Sequence, residues 1–142
     1  MMRTHIRKFK LSDTFIDQYS DKEVPWGPLG YVTFKRTYAR RLNEFNPEAE
    51  GTEEWFQTCR RVIEGMFDMQ KQHVYKLGLE WNDQKAQRTA KDAYDRLFNL
   101  KWTPPGRGLW MMGTEFVSKR TAAGLFNCAF RSTKELPTHG GY

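Results

Sequence analysis

Two stretches of helical periodicity, one directly after the other, constrain the fold of this chain more than any other feature. From Thr52 onward, Trp55, Cys59, Val62, Met66, Met69 and Val74 recur at three- to five-residue steps, and Phe56, Ile63 and Phe67 widen the same apolar stripe. Glu53 and Glu54 fall in the first turn, where negative charge suits the helix dipole. Gly65 interrupts the run at a cost of roughly 1 kcal/mol relative to alanine, and Gly78 is placed to end it. A second helix is expected from Asp83 to Leu100, capped by Asn82, with Ala86, Ala90, Ala93, Tyr94, Leu97 and Phe98 as its buried face. The link between the two is about five residues, a length that suits antiparallel neighbours.

Around this pair the pattern is less regular. The first ten residues are basic, carry no apolar run, and read as a loose arm rather than a secretory signal. Leu11 to Tyr19 reads as a short helix that Ser12 or Asp13 can cap. Pro25, Gly27, Pro28 and Gly30 break regular structure, and Tyr31 to Leu42 is expected to be helical in its second half. Asn43 to Gly51 is a polar loop. Beyond Leu100, Pro104, Pro105, Gly106 and Gly108 make a turn-rich loop; Leu109 to Met112 and Leu125 to Arg131 then read as two short buried strands. The expected class is α+β: an arm over residues 1–10, a mostly helical region over 11–102, and a strand-containing end over 103–142.

Ten Phe, six Tyr and five Trp supply bulky material for one core. No stretch approaches the roughly 18 consecutive apolar residues of a membrane span, so no membrane partner is expected and a cytoplasmic location is. The net charge of +6 is spread along the chain without a run of five or six like charges. It is compatible with solvated helix faces, with nucleic acid or with nucleotide phosphates. Cys59 and Cys128 do not make a disulfide framework, and His5, His73 and His139 stand at no zinc spacing to them.

Three positions invite chemistry. Cys128, in the apolar run Leu125-Phe126-Asn127-Cys128-Ala129-Phe130, reads either as a small buried hydrophobe or as a redox thiol. Cys59 lies on a helical apolar stripe and reads as core. Thr103 opens the Gly- and Pro-rich turn; it either starts that turn or, with the exposed backbone amides, binds phosphate oxygens. Arg107 is a tempting phosphate ligand, but an arginine in a loop more often faces solvent. The turn does not match a Walker or Rossmann motif.

Several of these segments resemble a known family in the same order and spacing. They are Trp26-Gly27-Pro28-Leu29-Gly30 with Arg36 to Arg40 following, Val62-Ile63-Glu64-Gly65, Tyr94 to Leu100, Trp102 to Thr114, and Phe126 to Phe130. Together they resemble the front part of the adenosylcobalamin-dependent (class II) ribonucleotide reductases of the monomeric, triphosphate-reducing type, over about residues 11 to 136. The resemblance implies that the helical region leads into the first strands of a ten-stranded α/β barrel, incomplete in this chain. It implies that Cys128 faces the ribose as one of two reducing thiols, and that Thr103 and Asn127 touch the nucleotide. It further implies adenosylcobalamin as cofactor, with most of its site outside this chain, and a ribonucleoside triphosphate as substrate. A second chain or downstream segment would complete the barrel, and a thiol reductant such as thioredoxin would reset the cysteines. The radical cysteine, the carboxylate and the second reducing cysteine belong to sequence beyond Tyr142, so this chain alone is expected to be inactive.

Two other classes compete. One is a small basic helical protein that binds nucleic acid through Arg36, Arg40 and Arg41 near Tyr38. The other is a non-catalytic scaffold remnant that docks onto a reductase.

Overall fold

The computed structural model of the protein describes residues 6–119 and 122–126. Its elements in chain order are α1 (Asp13–Asp17), α2 (Pro28–Thr37), a 3-10 turn (Leu42–Glu44), α3 (Trp55–Lys76), α4 (Asp83–Phe98), α5 (Gly106–Met111), α6 (Glu115–Lys119) and a second 3-10 turn (Ala122–Leu125).

The expected helix pair is α3 and α4. Glu54 caps α3 reciprocally: its side chain accepts from the Gln57 amide while the Gln57 side chain accepts from the Glu54 amide at 2.8 Å. The far end closes in a Schellman turn. Gly78, at φ +70°, donates to the Tyr75 carbonyl at 3.0 Å, and Leu79 donates to the Val74 carbonyl at 3.1 Å. Asn82 caps α4 by accepting from the Lys85 amide at 2.9 Å. The start of α3 meets the end of α4, because the Trp55 indole donates to the Phe98 carbonyl at 3.0 Å and the Tyr94 hydroxyl to the Phe56 carbonyl at 2.9 Å. The two helices therefore run antiparallel. Cys59, Val62, Ile63, Ala90, Tyr94 and Leu97 are fully buried between them. Met66 and Met69, expected on the same stripe, are instead exposed beyond a third of their surface.

Aromatic side chains from the N-terminal third complete the core. Phe15 and Tyr19 pack edge-on against Tyr94 at ring separations of 5.3 and 4.8 Å. Trp26 and Phe34 close around Trp55 at 4.9 and 5.3 Å. Such contacts contribute roughly 0.5–1.5 kcal/mol each beyond the area they bury.

Four sequence expectations need correction. Residues 6–10 are not a loose arm. Phe9 is buried, stacked on Phe67 and edge-on to Trp81, and its amide donates to Asp68 at 3.0 Å. The Leu11 amide donates to Glu64 at 2.9 Å, and the Gln87 side chain donates to the Lys10 carbonyl at 2.7 Å, so the arm is tied to both long helices. Second, α2 occupies the first half of the segment after the proline–glycine break rather than the second. Pro28 starts the helix at its first position, where the missing amide costs nothing. Third, α1 spans only Asp13–Asp17, and Ser12 holds its cap position without a side-chain bond.

The fourth correction concerns Leu109 to Met112, expected as a strand. Leu109 to Met111 form the second half of α5 and Met112 its C-cap: the Leu109 amide donates to the Pro105 carbonyl and the Met112 amide to the Gly108 carbonyl. Helical turning sends Leu109 into the core and leaves Trp110 outside beneath the Arg40 guanidinium, 5.3 Å from the ring centre. Among the described residues there is no strand, and strand-like pairing is limited to an isolated antiparallel bridge between Arg41 and Thr52. Leu125 lies in a 3-10 turn, Phe126 is exposed and outside regular structure, and residues 127–131 of the expected strand lie outside the described residues.

Candidate functional site

The segment from Trp102 to Thr114 leaves the end of α4 and crosses back over α3. It leaves through a strained residue: Leu100 adopts φ +56°, a left-handed conformation that its Cβ disfavours by roughly 1–2 kcal/mol. The gain is a closed helix end, in which the Leu100 amide bonds the Leu97 carbonyl and the Lys101 amide bonds the Arg96 carbonyl. The chain is thereby aimed so that the Trp102 indole donates back to the Ala93 carbonyl at 3.1 Å.

Thr103 follows and is exposed. It stands at the rim of a mostly apolar groove of about 350 Å³ whose walls include Trp26, Phe34, Trp55 and Leu109. Thr103 is thus accessible from outside. Pro104 and Pro105 then fix the backbone, and α5 begins with Gly106 packed on the Tyr38 ring. Arg107, expected in a loop, lies instead in the first turn of α5; it is exposed, and its guanidinium donates to the Phe126 carbonyl at 2.8 Å. The turn is thus joined to the chain just before Asn127 and Cys128. Those two residues lie outside the described residues.

The exit of the turn is held by a buried ion pair that sequence reading did not find. Arg61 on α3 meets Glu53 through two parallel hydrogen bonds, Nε to Oε1 at 2.7 Å and an amino nitrogen to Oε2 at 3.0 Å. The same guanidinium donates to the Leu109 carbonyl at 2.8 Å and the Met112 carbonyl at 2.6 Å. These are carbonyls at the C-terminal end of α5, where helical partners are missing and a cation is favoured. Glu53 also accepts from the Thr58 hydroxyl at 2.8 Å and the Arg40 amide at 3.0 Å. Every charge in this buried pair is thus matched.

Two glycines make the approach possible. Gly113 takes φ +78°, and a Cβ there would lie 2.3 Å from the Arg61 carbonyl oxygen. A Cβ on Gly65 would lie 2.6 Å from the Gly113 backbone. Gly65, counted in the sequence as a weak point of the helix, is the notch in α3 that receives the turn.

Cys59 is wholly buried on the α3 stripe, and burial pushes its thiol up from its usual range. It is a core residue, as its place on the stripe implies. Among the described residues no group of His, Cys, Asp and Glu side chains is arranged to hold a metal ion, and no helix is long and apolar enough to cross a membrane. Arg40, a candidate for a basic nucleic-acid surface, is paired with Glu44 at 2.9 Å and stacked on Trp110.

Comparison with known proteins gives this geometry a context. Residues 11–114 match the ribonucleotide reductase alpha domain. The chain is 41% identical over 138 residues to a probable adenosylcobalamin-dependent ribonucleoside-triphosphate reductase of Dictyostelium discoideum, a match covering 95% of this chain and 18% of that protein. It is 40% identical over 133 residues to the adenosylcobalamin-dependent ribonucleoside-triphosphate reductase of Euglena gracilis, covering 91% of this chain and 18% of that one. Its fold superposes on the crystal structure of a B12-dependent (class II) ribonucleotide reductase with a TM-score of 0.66 and 38% identity, over 84% of this chain and 16% of that one. The chain thus spans less than a fifth of the relatives it matches, and the matches support the reductase reading and not the nucleic-acid-binding one. With the helix pair, the turn across it and these relatives in agreement, the chain belongs to the ribonucleotide reductase alpha-domain family.

Proposed function

We propose that this chain is the helical lead-in of an adenosylcobalamin-dependent ribonucleoside-triphosphate reductase, and that it brings substrate contacts and one reducing thiol to a site completed by other polypeptide. The observation that carries the reading is the match of residues 11–114 to the reductase alpha domain, which includes the whole turn that exposes Thr103. In this reading the Thr103 hydroxyl and the neighbouring backbone amides hold the nucleotide, Asn127 contacts it beside the sugar, and Cys128 is one of two thiols. Two thiols becoming a disulfide release two electrons and two protons. These break the C2′–O bond, form a C2′–H bond and let the oxygen leave as water. The second thiol comes from the polypeptide that completes the barrel, and a thioredoxin-like reductant returns the disulfide to thiols. A reducing compartment such as the cytoplasm suits that cycle.

Adenosylcobalamin, bound to the complete enzyme, supplies the radical that starts the chemistry. In this reading most of its site lies in polypeptide outside this chain; two grooves among the described residues measure about 350 and 480 Å³. The larger is lined by Glu53, Arg60, Arg61, Glu64 and Asp68, whose charges are already engaged with one another or with backbone.

The test is Cys128→Ser in the chain reconstituted with the remainder of the reductase, adenosylcobalamin and a thiol reductant. Deoxynucleotide formation over many turnovers should be lost. Unchanged turnover would assign the chain a scaffold role instead.

A further inference from the structure

We propose that Glu53 and Arg61 act as a positioning pair, fixing the turn from Thr103 to Gly113 on α3 so that Thr103 is presented to the nucleotide; the proposal rests on the reading of Thr103 given above. Three independent features of the structure meet at this pair. The guanidinium spends its donors on two backbone carbonyls of the turn, at 2.8 and 2.6 Å, while both Glu53 oxygens hold it in one orientation. Burial is nearly complete, with side-chain exposures of 6% for Arg61 and 3% for Glu53, so the geometry is not shared with water. The glycine pair brings the turn into backbone contact with the helix one turn further along, at Gly65.

A buried ion pair of this kind is a poor means of raising stability, because apolar residues of similar volume commonly do as well or better. What it offers is direction: a planar fork defines where two carbonyls sit, which an apolar contact does not. The opposite end of the same turn is fixed by the Trp102 indole on Ala93. Thr103 therefore lies between two anchors, on a stretch whose backbone has no other fixed hydrogen-bond route to α3 among the described residues.

The double variant Glu53→Leu with Arg61→Met replaces the pair by apolar volume, at the further cost of the acceptor of the Thr58 hydroxyl and the Arg40 amide. In the full 142-residue chain, the amides of Leu109, Met112 and Thr114 should exchange with solvent at least about tenfold faster, while those of Val62, Ile63 and Leu97 keep their rates. Equal change at both sets, or no change at either, would overturn the proposal. In the reconstituted reductase the double variant should raise KM for the nucleoside triphosphate about tenfold with kcat altered less than about threefold, and Arg61→Lys should restore only part of it because an ammonium cannot reproduce the fork. A fall in kcat with KM unchanged, or full restoration by lysine, would count against positioning. Thr103→Val measured in parallel separates the two ideas. If it raises KM and the pair variant does not, positioning alone fails; if Thr103→Val has no effect, the reading of Thr103 fails and takes the positioning proposal with it.

Discussion

At the scale of single residues, the close contacts at Gly65 reverse a familiar rule. Replacing an interior helical glycine by alanine ordinarily gains roughly 1 kcal/mol. At Gly65 the added methyl would stand 2.6 Å from the Cα and amide nitrogen of Gly113, and backbone cannot swing aside as a side-chain tip can. Gly65→Ala is therefore expected to destabilise the fold by about 1–3 kcal/mol, measured by urea denaturation; a gain would show that the turn does not press on α3. A second residue-scale expectation concerns pH. Tyr19 and Tyr94 both have phenols pushed above their usual range, first by burial, and in Tyr19 also by donating to Asp95 at 2.7 Å. Below the ordinary tyrosine value of about 10 both are neutral in the folded and unfolded chain, and their contribution is complete. Above it the unfolded chain ionises first, so stability falls as pH rises further. Following phenolate absorbance and helical signal together should show these two rings ionising only as the helices melt, and Tyr19→Phe should flatten the decline. Early phenolate formation at either ring without loss of helix would contradict the burial argument.

At the scale of elements, what could be read from sequence divides by mechanism. The long helices α3 and α4 were legible because an apolar stripe repeated over many turns has one structural solution, and because Asn82 and Gly78 supply end signals of known chemistry. The α5 segment was not, since a four-residue apolar run fits a strand or a buried helical turn equally and only the contacts of Leu109 decide. For α2, Pro28 reads in the sequence as a breaker, whereas in the fold it starts the helix. The Glu53–Arg61 pair has an eight-residue spacing with no helical pairing rule behind it, and its true partners, the α5 carbonyls, carry no sequence signal. Of the candidate site residues, Thr103 is seen where the turn exposes it, whereas Asn127 and Cys128 rest on resemblance. The arm shows how little signal an anchor needs: a single Phe9 in a basic stretch finds a pocket between Phe67 and Trp81. Phe9→Ala is expected to cost about 3–5 kcal/mol in thermal or denaturant unfolding, while Lys8→Ala, at an exposed neighbour, should change little. Equal, small effects would return the arm to the status of a loose tail.

At the scale of the whole molecule, burial is unevenly distributed along the chain. The buried set draws on Phe9, Leu11, Ile16, Tyr19 and Phe34 as well as both long helices, but after Phe98 its apolar members among the described residues are Leu109 and Val117. A region that contributes little apolar burial opens at lower free energy than the core it rests on. The two should therefore respond differently to the same lesion. Leu97 is fully buried on α4 against α3, and Leu97→Ala removes contacts from the shared core at a cost of about 2–5 kcal/mol. Amides whose exchange requires global unfolding, such as Val62, Ile63 and Phe98, should speed up by the full cost, at least roughly tenfold. Met112, Thr114 and Ser118, whose amides are bonded only within their own short turns, should exchange by local opening and keep their rates. Site-resolved hydrogen exchange on the two proteins measures this directly. If both groups accelerate together, the turn does not open locally, and it and the helix pair are one cooperative unit.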